Sequence, residues 1–95
     1  MTNKEDSYFS DIEHRFQQRR RSASSLSAKD WRLIEIWKEA GIPLVAVLNG
    51  IDQTFDNFER TKSPSQRINS LAYCAQQVLA ETERMKEANV GKGPF

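Results

Sequence analysis

Most protein chemistry needs side chains that this chain scarcely holds. Its 95 residues include one cysteine, Cys74, and one histidine, His14. A structural zinc site takes four ligands drawn mainly from those two residue types, so one of each is too few. A lone thiol also excludes an internal disulfide. The four glycines stand at Gly41, Gly50, Gly91 and Gly93 and form neither the Gly-x-x-x-x-Gly-Lys-Ser/Thr nor the Gly-x-Gly-x-x-Gly loop that cradles phosphates. Hydrophobic residues make up only 38% of the chain, and the longest apolar run, from Ile42 to Leu48, falls well short of the roughly 18 residues of a membrane span. The opening Met1-Thr2-Asn3-Lys4-Glu5-Asp6 lacks the basic start and apolar centre of a secretory signal, so a cytoplasmic protein is expected. A net charge of +1 gives no bulk attraction to nucleic acid.

What is present is helix punctuation. Residues 1–6 are polar and read as a disordered leader. Tyr8, Phe9, Ile12 and Phe16 then recur at steps of three and four, which predicts a helix over residues 7–21 with one apolar face. Its acids come early and its arginines late, the favourable orientation in the helix dipole. Residues 22–26 are a serine-rich linker. Ser27 then offers an N-cap with Asp30 completing a capping box, and Leu26 and Trp31 stand at staple positions, so a second helix spans 28–40 and stops at Gly41. Leu33, Ile34 and Trp37 face inward.

Pro43 suits a first helical position, and a third helix is expected over 43–58 with Leu44, Leu48, Ile51, Phe55 and Phe58 as its stripe and Val47 widening it. Gly50 within it either admits a close neighbouring helix or is a tolerated weakness. Ser63, Pro64 and Gln66 form another capping pattern, which predicts a fourth helix over 64–87; a cap at Ser70, with extended chain before it, is the alternative. Its core face reads as Ile68, Leu71, Ala72, Ala75, Val78, Leu79 and Met85, with Glu81 among the solvent residues. Residues 88–95, with two glycines and a proline, read as a flexible tail. No segment alternates with period two. The fold class is therefore all-α, a single domain over residues 7–87 built as a compact bundle of about four short helices with disordered ends.

Nucleophilic catalysis would need Cys74 and His14 to meet, and nothing in their positions brings them together; Cys74 reads as a small hydrophobe in the rhythm of Leu71, Ala75 and Val78. Asp52 and Asp56 share a helix face and could supply two oxygen ligands for magnesium or serve acid–base chemistry, but the favoured reading is solvated surface carboxylates. No catalytic residues, metal, cofactor or small-molecule substrate follow from these features. Two binding readings do. Arg15, Arg19, Arg20 and Arg21 cluster near the end of the first helix and, with Lys62 and Arg67 as auxiliaries, can contact nucleic-acid phosphates. Alternatively Tyr8, Phe9, Ile12 and Phe16 form a protein interface for a partner or a second copy, unless they pack on their own chain.

The order Leu26-Ser27-x-x-Asp30-x-x-Leu33-Ile34-x-x-Trp37-x-x-x-Gly41-Ile42, then Val47-Leu48-x-Gly50-Ile51 and Ile68-Asn69-Ser70-Leu71-x-Tyr73, resembles the C-terminal helical domain of DnaD-type bacterial replication-initiation proteins. The resemblance runs from Leu26 to Val78. It implies a bundle of short helices used in primosome assembly and associated with DNA. The chain departs from that pattern at Gln77, where the family carries isoleucine, and in having no tryptophan after Trp37.

Overall fold

A computed structural model describes residues 4–21, 25–61 and 68–92. Among these the chain is all-α, as the punctuation predicts: α1 is Lys4–Arg20, α2 is Ala28–Glu39, α3 is Leu44–Thr61 and α4 is Ala75–Lys92, with a 3-10 helix, Leu71–Cys74, leading into α4. Helix thus begins inside the stretch expected to be a disordered leader and continues past residue 87 into the expected tail. Lys62 and Arg67, and the cap expected at Ser63, lie outside the described residues.

The start of α2 follows from local chemistry. Asp30 donates its backbone N–H to Ser27 Oγ at 3.2 Å, and Ser27 returns its own N–H to Asp30 Oδ2 at 3.4 Å, completing the capping box. At the other end Gly41 adopts φ +80°, and the N–H groups of Gly41 and Ile42 close back on the carbonyls of Lys38 and Trp37. That pair of bonds is a Schellman closure, and it favours a residue without a Cβ at position 41. Pro43 stands just before the first helical position rather than in it: its carbonyl accepts from Ala46 and Val47, which makes it the N-cap of α3. Helix α3 then runs about one turn beyond the predicted end at 58. α1 closes on Arg21, a non-glycine residue at φ 57°.

α3 is the organising element, with α1 packed along one side and α4 along the other. Its buried residues are Ala46, Val47, Gly50, Ile51 and Phe55, while Leu44, Leu48 and Phe58 flank them half-buried. A Cβ placed on Gly50 would lie 2.6 Å from Val78 Cγ2 and 2.7 Å from Val78 Cα. The glycine therefore serves the close helix approach, and α4 rests almost backbone to backbone on α3 at that point.

The fourth helix differs most from its prediction. Its start is capped by Ser70, whose Oγ accepts from the N–H of Ala72 at 3.2 Å, and the 3-10 turn Leu71–Cys74 leads into α4. Val78 and Cys74 are fully buried, but Ala72 and Leu79, expected in the core, are exposed, and Glu81 and Thr82 are buried in their place. Thr82 donates its hydroxyl to the carbonyl of Val78 at 2.8 Å, and Glu81 pairs with Arg84 at 2.8 Å.

Asp30 does more than cap. Its second carboxylate oxygen accepts from Ser70 Oγ at 3.2 Å and from the N–H of Leu71 at 3.0 Å, so one buried carboxylate joins the first turn of α2 to the first turn of the 3-10 helix. Two otherwise orphaned helix starts are satisfied by one side chain.

Candidate interaction surface

The arginine cluster is placed by α1, whose apolar face fixes which way each guanidinium leaves. Tyr8, Ile12 and Phe16 are buried, and Phe16 meets Phe55 of α3 edge-on at 5.8 Å between ring centres. Burial pushes the Tyr8 phenol up to about 12, and its hydroxyl donates to the carbonyl of Ile42 at 2.9 Å. Phe9 is half-buried between Tyr8 and Trp31. The aromatic face of the first helix thus packs in cis. Of the residues expected to form a protein interface, Tyr8, Ile12 and Phe16 belong to the chain's own core and Phe9 packs half-buried against it, because α3 and Trp31 supply the apolar surface that a second molecule would otherwise have supplied.

With that face turned inward, Arg15 and Arg19 reach across to α3. Arg15 pairs with Asp52. Arg19 binds Asp52 at 3.0 Å and Asp56 at 2.8 Å, comes within 3.8 Å of Glu59, and lies 5.4 Å from the ring centre of Phe55. Burial by itself would lower the pKa of Arg19, but hydrogen bonds to Asp56 and Asp52 and the charge of both outweigh it and hold it above the ordinary value. Two guanidiniums meet three carboxylates here, so the seam is net negative. Asp52 and Asp56 are arginine partners rather than free solvated carboxylates. Arg20 lies over the ring of Phe16 at 4.8 Å, and Arg21 is exposed. Of the four arginines, two are thus bound into the seam.

Cys74 is fully buried, and burial pushes its thiol up to about 12 despite a hydrogen bond to Thr54 that acts the other way. His14 is exposed on α1. Among the described residues no three of His, Cys, Asp and Glu are grouped so as to hold a metal ion, and no helix is long and apolar enough to cross a membrane.

The open apolar surface lies elsewhere. Ala28, Lys29, Arg32, Leu33, Ile36 and Ala72 line a shallow groove of about 420 Å³ between α2 and the 3-10 helix. Ile36 is 46% exposed, Tyr73 60% and Leu79 53%. Ala72 and Leu79 lie on one flank of the outward face of the 3-10 helix and α4, and Tyr73 and Ala80 lie on the other, with Gln76 between them; Ala72 also belongs to the groove. Through Ala72 the groove adjoins the outward face of the 3-10 helix and α4, an apolar strip interrupted by Gln76, and Lys29 and Arg32 line the groove. The sequence carried a weak signal for it: Ile36 falls outside the inward set of Leu33, Ile34 and Trp37.

No curated protein and no solved structure matches this chain. The resemblance to DnaD-type proteins is not upheld, because the family model that does match is a different one. The residues that suggested it are ordinary parts of a small helical domain: Ser27 and Asp30 cap, Trp37 packs, Gly41 closes and Gly50 admits α4. Unrelated helical domains with short turns need parts of that kind. With residues 7–93 matched, the chain belongs to the family whose description reads "Uncharacterised protein".

Proposed function

We propose that this chain is a non-catalytic protein-interaction module whose contact surface is the apolar strip formed by α2, the 3-10 helix and the first half of α4. The observation that carries this reading is the exposure of Ile36 in a groove with Leu33 and Ala72, together with that of Tyr73 and Leu79 on the outward face to which Ala72 also belongs. Large apolar side chains gathered at a groove with a charged rim are the usual makings of a contact surface, whereas scattered single ones are not.

The rival reading, phosphate contact, rests chiefly on exposed Arg21, since Arg15 and Arg19 are held by carboxylates of α3 and Arg20 is half-buried over the ring of Phe16. A photo-reactive benzoylphenylalanine in place of Tyr73, introduced in cells that express the chain, separates the two. Adducts with polypeptide at that position, absent when the probe replaces exposed Glu39, support the strip. Absence of polypeptide adducts at 73, together with salt-sensitive DNA binding that is lost in Arg20→Ala/Arg21→Ala, overturns it in favour of phosphate contact.

A further inference from the structure

We infer that the occupant of the strip is a second copy of this chain, docked through an antiparallel pairing of the two α4 helices about a two-fold axis at Gln76; this rests on the strip being an interaction surface. From its N-terminal end, the outward face carries Ala72 and Tyr73, then Gln76, then Leu79 and Ala80, and one turn later Glu83, all exposed. This order is self-complementary. A two-fold axis lying between the helices and perpendicular to them keeps each flank on its own side while reversing the direction of the chain. With Gln76 on the axis, Tyr73 meets Ala80 of the second copy, and Leu79 meets Ala72 of the second copy. Each large side chain lies against a small one, which is what lets two helices interdigitate.

The groove takes part in the same pairing. Because Ala72 lines it together with Leu33 and Ile36, Leu79 of the second copy arrives at its open side, and the arrangement is repeated by symmetry at the other end. Charge follows the same order. The N–H of Leu71 and the Ser70 hydroxyl bond to Asp30, which puts Lys29 and the start of α2 beside the beginning of the 3-10 helix. One turn beyond Leu79, Glu83 of the second copy comes to that rim, where Lys29 stands beside Arg32, which pairs with Glu35 of its own chain at 3.0 Å. Within the single chain Glu83 meets Lys86, at 3.7 Å on an exposed edge. At the centre, two primary amides facing each other across a two-fold axis can each donate one N–H and accept one, so Gln76 satisfies its own copy and sets the register.

A pairing of two short helices lies at the lower end of specific interface sizes, so a reversible dimer in the micromolar range is expected. Sedimentation equilibrium of the purified chain, over concentrations that bracket that range, measures it. Gln76→Glu brings two carboxylates together on the axis and is expected to weaken the dimer at least about tenfold at neutral pH, with recovery when the carboxylates are protonated. Gln76→Cys, oxidised gently, is expected to give a disulfide-linked dimer faster than Glu39→Cys at the exposed end of α2, while buried Cys74 stays reduced. Circular dichroism confirms that each variant keeps its helices. A chain that stays monomeric, or a dimer indifferent to Gln76→Glu and not cross-linked through position 76, overturns the second-copy pairing. Adducts of the Tyr73 probe with a different polypeptide, from a chain that is monomeric when pure, would overturn this pairing while leaving the strip as an interaction surface.

Discussion

Two faces of this molecule use cationic and large apolar side chains in opposite ways. Between α1 and α3, Phe16 and Phe55 close on each other, Arg19 lies over Phe55 held by Asp52, Asp56 and Glu59, and Arg15 pairs with Asp52. On the outer face of α2 and α4, Ile36, Tyr73 and Leu79 remain in water and Lys29 and Arg32 stand at the rim of a groove. The first region is a finished interface within one chain: apolar centre, charged border, partners on both sides. The second has the centre and the border on one side only. An arginine cluster met along a sequence therefore says little about function until the carboxylates across from it are known.

The finished interface is most easily undone at Phe16. Phe16→Ala empties a fully buried site against Phe55, and a loss of about 3–5 kcal/mol is expected by chemical denaturation. Asp30→Ala comes next. It removes the carboxylate that accepts the N–H of Ser27 in the capping box and leaves the buried N–H of Leu71 without its partner, for about 2–4 kcal/mol in the same measurement. Asp30→Asn, which keeps an acceptor oxygen, should recover part of that loss. Gly50→Ala gains about 1 kcal/mol of helix propensity but forces α3 and α4 apart at Val78, and a net loss of about 2 kcal/mol should appear as a lowered melting temperature.

Substitutions at the borders of the two faces have smaller effects. Arg19→Ala is expected to cost about 1 kcal/mol, since its ion pairs are partly exposed, whereas Arg21→Ala should cost less; equal costs would mean that the seam pairs contribute nothing. Leu79→Lys should leave stability within about 0.5 kcal/mol of the parent while abolishing association in the ultracentrifuge. A large loss of stability there would show Leu79 to be a core residue after all.

How much could be read in advance differs from helix to helix, for a physical reason. Helix α2 was readable at both ends because its signals are local: Ser27 reaches Asp30 three residues on, and the N–H groups of Gly41 and Ile42 close on carbonyls three and five residues back. Helix α4 was not. The pattern at Ser63 and the pattern at Ser70 are both acceptable caps by sequence, and the one at Ser70 gains Asp30 from another helix as a long-range acceptor. With Leu71, Cys74 and Val78 taking the inward face, Leu79 turns outward and Glu81 inward, against their hydropathy. The candidate surface was missed for the same reason. Leu79 is exposed because packing chose which face of α4 turns inward, and the expected aromatic interface was lost because α3, Trp31 and Ile42 cover it.

Consecutive residues are enough to fix the class of this protein. Helix periodicity, the capping box at Ser27 and the glycine closure at Gly41 suffice for an all-α chain, because backbone capping and side-chain spacing act over a turn or two. A close helix contact at Gly50 was one of two readings open at that level. Packing settled which charges are used up and which apolar groups are left over. Arg19 stands 33 residues from Asp52 and 37 from Asp56 along the chain, so these pairs exist only once α1 and α3 have come together. Solvent exposure is likewise a property of the whole packed surface, and the strip of Ile36, Tyr73 and Leu79 emerges only after α3 has taken its partners.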